Sequence, residues 1–303
     1  MTYSFQSVRE DSKWDDRLFI APLVAGFFCL ILLAGWIVLV DKLEYKMTTV
    51  IPVVLLKNHV YVLMGASTTC FGFGYLMTLY IFPMQFRVVN GYSALEASIM
   101  LLPMLGFSAL GSMIAPMLSL KRNVLHWTIA AGGMLMTLGT AVSAATATSS
   151  HRYGTTLYAV YVGLIGFGFG LSAAASTTLG IVESPVYEHA TAQGLVALLR
   201  IWGGSIGIAV SGAVLGSQSA SNNDTPLSLE HYTKALETSM LAACGFAALG
   251  TVCALFARRS RLLPLAQMMQ KREADEGDRQ RELGRQRAIE AAKRQQEKND
   301  QPR

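Results

Sequence analysis

The stretch YAVYVGLIGFGFGLSAAASTTLGIVESPVYEHATAQGLVALLRIWGGSIGIAVSGAVLG, residues 158–216, decides what kind of protein this is. It consists of two long apolar segments joined by a short polar link, with one charge, Arg200, inside the second segment. Where water cannot reach the backbone, each N–H and C=O must be satisfied within its own segment, so an apolar run of this length is forced into a helix. Glycines four apart, at Gly166 and Gly170, Gly203 and Gly207, Gly212 and Gly216, put bare backbone on one face and predict close helix packing. The run Gly166-Phe-Gly-Phe-Gly170 competes with a nucleotide-binding loop. That loop requires a strand before it and an acidic residue about 20 positions on. Here apolar residues flank both sides, so the glycines read as packing surface.

Composition extends this reading to the whole chain. Of 303 residues, 52% are hydrophobic and 15% charged, outside the ordinary soluble range. The charges are segregated: beyond residue 257 the tail holds thirteen Lys or Arg against eight Asp or Glu, which accounts for the whole net charge of +5. A basic tail beside a neutral apolar body suits a membrane-facing or cytosolic segment, not nucleic-acid binding. Cys29, Cys70, Cys244 and Cys253 all fall in apolar runs, so no disulfide framework or zinc spacing is expected. The five histidines are scattered near segment ends. Neither a catalytic constellation, a metal site nor a cofactor motif is read from the sequence, and no enzyme activity is expected.

The spacing predicts seven spans, at 18–40, 60–86, 94–118, 124–147, 158–182, 191–216 and 235–256. The first is long enough to cross a hydrocarbon core of about 30 Å at about 1.5 Å per residue, and it lacks the form of a cleaved leader. The domain reading is a polar segment at 1–17, a linker helix and cytoplasmic loop at 18–58, a six-helix bundle at 59–257 and a basic tail at 258–303. Seven spans put the termini on opposite sides. Counting Lys and Arg by loop gives eighteen inside and six outside if the C-terminus is cytoplasmic, which is the orientation favoured by the positive-inside rule.

The run from Ala190 to Ala209, ATAQGLVALLRIWGGSIGIA, resembles the penultimate helix of the fourteen-span drug:proton antiporters of the major facilitator superfamily, of the type common in fungi. Three further stretches agree: Pro52 with Leu55-Leu-Lys-Asn58 resembles the entry to the ninth helix, and Gly166 to Gly170 resembles the twelfth. Tyr80-Ile-Phe-Pro83, Gly91-Tyr-Ser93 and Leu102-Pro103 resemble the junction of the ninth and tenth. The resemblance covers about residues 14–257. It departs at Arg87, where glutamine is usual, and at Ser98, where glycine is usual. It implies an all-α membrane protein equivalent to the C-terminal half of such a transporter plus one linker helix. A full-length member would carry about seven further helices before residue 18, with the signature loop, the antiporter motif and an acidic residue near the first helix. The implied function is efflux of small organic compounds by proton antiport from the plasma membrane, with a missing N-terminal half or a second copy as partner in the bilayer.

Proton coupling usually employs an ionisable side chain in the membrane interior. Glu96, Glu183 and Glu237 all fall near span ends and are poor candidates. Arg200 has two readings: an interior cation needing a partner, or an interfacial anchor with Trp202 that snorkels to the inner surface. The anchor is the favoured one. Candidate substrate-path groups are Thr68, Thr69, Tyr75 and Tyr80 on the second span, Ser172, Ser176 and Thr177 on the fifth, and Arg200. Each small hydroxyl has the competing role of bonding the preceding turn of its own helix. Two other functions compete. A seven-helix receptor suits the span count, but no Asp-Arg-Tyr follows the third span, no Asn-Pro-x-x-Tyr closes the seventh, and the seventh has no lysine for a retinal Schiff base. A non-transporting truncated or assembly-partner protein is the other.

Overall fold

The computed structural model describes residues 58–89, 91–119, 125–148, 155–184, 188–220 and 229–257, with a few positions of the tail. The expected first span at 18–40 lies outside the described residues, as does most of the tail.

Among the described residues the chain is helical, with no strand: α1 (His59–Val89), α2 (Ala94–Ile99), α3 (Leu102–Ser119), α4 (Leu125–Thr148), α5 (Thr155–Glu183), α6 (His189–Ala220) and α7 (Leu229–Phe256). Among the described residues six spans are long and apolar enough to cross a membrane, α2 and α3 together making one, Ala94–Leu118. The protein is an all-α integral membrane protein.

The span at 94–118 was expected as one helix, and it is interrupted. Gly91, at φ 70°, turns the chain in a left-handed conformation that an L side chain resists. Ser93 then caps α2: its Oγ accepts from the Glu96 N–H at 3.3 Å, while the Glu96 carboxylate accepts from the Ser93 N–H at 2.8 Å. Pro103 has no N–H to offer the carbonyl of Ile99. The chain tightens instead, Met100 N–H bonding the Glu96 carbonyl and Leu101 N–H that of Ser98, both at 3.1 Å, before α3 resumes at Leu102.

Successive spans alternate in direction. Met64 of α1 lies beside Gly180 of α5, while Phe82 stacks edge-on against Tyr158, so these two central helices run antiparallel. Helix α1 packs on α6 and α7, α5 packs on α3 and α4, and α4 packs on α7. Exchanging the triplet α1, α3, α4 for α5, α6, α7 preserves every one of these pairings. The bundle is therefore two inverted triplets, with α1 and α5 at the centre, α4 and α7 behind, and α3 and α6 at the edges.

Glycine sets how closely the edges approach. A Cβ at Gly166 or Gly170 would run into the carbonyls of Met104 and Ser108 on α3, and one at Gly203 or Gly207 into those of Thr69 and Phe73 on α1. Gly72 meets the Arg200 carbonyl in the same way. Gly212 departs from the expected packing role, since open space surrounds the place of its Cβ. The surroundings of Gly216 lie outside the described residues. At one end of the bundle, Phe82, Phe86, Tyr158 and Tyr161 form an aromatic cluster joining α1 to α5, with three edge-to-face contacts and one tilted one, Phe82 to Tyr161.

Candidate functional site at mid-depth

Arg200 stands eleven residues into the span His189–Leu215, about 16 Å from its start at about 1.5 Å per residue. Its carbonyl rests against Gly72, which fixes the backbone from which the side chain departs. The guanidinium turns to the neighbouring helix: Nη2 donates to the Ala173 carbonyl at 3.0 Å, to Ser176 Oγ at 3.2 Å and to Thr177 Oγ1 at 3.3 Å. Both hydroxyls also donate to that same carbonyl, at 3.0 and 2.8 Å. Arg200 Cζ lies 6.0 Å from the Phe169 ring centroid, within cation–π range. Its Nε is buried without a hydrogen-bond partner.

Arg200 thus turns into the bundle toward α5, an arrangement that favours the interior reading over the anchor. Trp202 is exposed two residues on, about 200° round the helix, so cation and aromatic do not share a face.

Phe169 carries the centre across to α1. Tyr75 stacks on it with centroids 3.7 Å apart and planes 6° from parallel, and the Tyr75 hydroxyl lies beside that of Ser108 on α3. Two central and two edge helices therefore converge at mid-span. The inverted arrangement explains the placement: Gly72 abuts the Arg200 carbonyl as Gly170 abuts that of Ser108. The polar residues of the two edge helices sit at equivalent points on either side of the aromatic stack.

Of the expected path residues, Tyr75, Ser176, Thr177 and Arg200 come together. Thr69 and Ser172 do not; each bonds a carbonyl of its own helix, Gly65 at 2.9 Å and Phe169 at 2.9 Å, and Ser172 packs against Gly132 of α4. Tyr80 lies a turn and more beyond Tyr75, half-buried. Thr68 is buried with an unpartnered Oγ1. With Met64 at Gly180 and Tyr75 at Phe169, the register of the antiparallel pair puts Thr68 at the level of Ser176. Phe169 and Ser108 were missed in the sequence; Phe169 was hidden among glycines read only as packing.

No mid-depth carboxylate balances Arg200 among the described residues. Glu183 ends α5 and accepts from Asn58 Nδ2 at 2.8 Å, while Glu96 and Glu237 stand near the starts of their spans. No group of three metal-ligating side chains exists among the described residues.

The helical bundle also has relatives by sequence. The chain is 32% identical over 211 residues to the MFS-type transporter FPY5 of Fusarium mangiferae, covering 67% of this chain and 34% of that one. The chain belongs to the major facilitator superfamily. It is also 26% identical over 229 residues to the dehydrocurvularin exporter of Alternaria cinerariae, covering 72% and 36% of the two chains. Against the efflux pump DEP3 of Alternaria brassicicola it is 31% identical over 140 residues, 46% and 24%. No protein-family profile matches the chain. The chain spans about a third of the length of these superfamily relatives or less.

Proposed function

We propose that the chain forms the C-terminal bundle of a secondary transporter that exports small organic compounds, metabolites or toxins, by proton antiport across the plasma membrane. The single observation carrying this reading is the mid-depth group of Tyr75, Phe169, Ser176, Thr177 and Arg200, contributed by both triplets. Superfamily transporters place their substrate site near the bilayer midplane at a repeat interface and move one bundle against another around it. The edge helices suit such a second bundle: α3 packs chiefly on α5 and leaves Leu102, Met113 and Met117 exposed, at 60, 67 and 62%. The names of the relatives, an exporter and an efflux pump among them, support the direction of transport. The proton-binding carboxylate is assigned to the second bundle, because the glutamates of this one stand at span ends. The C-terminus is placed in the cytoplasm on the distribution of Lys and Arg.

The test is loss of a preloaded fluorescent aromatic probe from fungal cells expressing the chain, or a chimaera carrying residues 59–257 in place of the matched region of the Fusarium relative. The reading expects faster loss than in vector controls and its abolition by a protonophore. Loss at the control rate in both cases would refute it.

A further inference from the structure

Among the described residues Arg200 has no counter-charge, and the geometry points to where one would come from. All its described hydrogen bonds are made by Nη2 to uncharged oxygens on α5. Nε is left without a partner, and the side chain as a whole is only half-buried. Neutral oxygens hold a guanidinium in place but do not neutralise it, and an uncompensated ion away from bulk water is costly. The described carboxylates are out of reach. Glu183 stands six residues beyond Thr177, about 9 Å along the helix, and is engaged with Asn58; Glu96, Glu188 and Glu237 lie at or beyond span ends. Ala197, Leu198 and Ile201, within a turn of Arg200 on the same helix, are exposed, so apolar surface adjoins its backbone. The cation and the Tyr75 ring both lie against Phe169.

We propose that Arg200 is an anion-recognition residue, and that the charge it lacks is delivered by the ligand: a flat aromatic or conjugated molecule bearing a carboxylate or an acidic phenol. The donors set the charge, since a guanidinium edge matches a carboxylate with two parallel hydrogen bonds. The exposed apolar residues and the aromatic stack set the body, because such sites are mostly apolar with a few convergent polar groups. The inference rests on the exporter reading for the site and adds the substrate class, an organic acid over its neutral analogue.

The test uses the purified chain in phosphatidylcholine nanodiscs, whose headgroups carry no net charge to compete, titrated calorimetrically with 1-naphthoate, 1-naphthamide and acetate at neutral pH. The proposal expects naphthoate to bind at least tenfold more tightly than the amide or acetate. Arg200→Met is expected to reduce naphthoate to the level of the amide, and Arg200→Lys to retain part of the preference. Equal binding of acid and amide, binding of neither, or an acid preference that survives Arg200→Met overturns it. Acetate binding as well as naphthoate overturns it too, assigning the edge to a side-chain carboxylate of another helix. Should Arg200→Met lose its helical circular dichroism, the contrast of acid with amide in the wild type and Arg200→Lys decides. Binding is read at equilibrium, so failure of transport with acid selectivity intact removes only the exporter reading, and transport without acid selectivity removes only this one.

Discussion

A guanidinium away from bulk water carries a desolvation cost of about several kcal/mol, only partly offset here by neutral acceptors. Removing that charge therefore relieves the fold as it disables the site. Arg200→Met is expected to leave the melting midpoint unchanged or to raise it, since Ser176 and Thr177 keep their own bonds to the Ala173 carbonyl; a clear drop in calorimetry would contradict this. Removing the acceptors has the opposite sign. Ser176→Ala with Thr177→Val is expected to cost about 1–3 kcal/mol in the wild type and little in Arg200→Met, a non-additivity that a double-mutant cycle reads directly. The sequence marked Arg200 as out of place but not which way it faces. That depends on whether the span starts near 191 or near 201, and the flanking residues are apolar enough for either. Phe169 was illegible for a related reason: between two glycines it reads as part of a seam, and only the helix rotation that turns Gly166 and Gly170 toward α3 leaves its ring facing Tyr75.

Between helices, backbone proximity is the main specification. Gly203→Leu and Gly170→Leu force a side chain into a carbonyl of the neighbouring helix. Each is expected to lower stability by about 1–3 kcal/mol or more, as overpacking does. Gly212→Ala meets open space and is expected to raise stability by up to about 1 kcal/mol through helix propensity; the three midpoints together check the seam. Gly212 misleads in the sequence because it follows Gly207 by five residues, about 140° away on the helix surface. Gly72 was overlooked because its partner is a carbonyl on another helix and not a second glycine four residues away. At the start of α6, burial pushes the Glu188 carboxyl above the ordinary carboxylate range, with Oε2 unpartnered. A raised folded value favours the protonated form, so this contribution to stability is present at acid pH and is lost as pH rises through the folded value. Glu188→Gln is expected to flatten the decline in melting midpoint from mildly acidic to neutral pH; an unchanged slope would contradict it.

For the whole molecule, five of the six described spans were legible from apolar length alone, each beginning and ending within a few residues of expectation. The sixth was located but its interruption was not, although Ser93, Glu96 and Pro103 held the physical reason. The inverted pairing of the triplets could not be read at all: it is a relation between helices distant in the chain, and no single segment's pattern encodes it. That relation makes a mid-depth centre out of residues on four helices. It also commits the chain to one topology, in which Arg87 at the end of α1 and Ala190 at the start of α6 face opposite sides of a bilayer. The most direct measurement is labelling by a membrane-impermeant thiol reagent of single cysteines at these exposed positions, in a variant lacking the native cysteines. The account predicts that Arg87→Cys reacts in intact cells and Ala190→Cys only after permeabilisation. Both cysteines reacting from one side would contradict it.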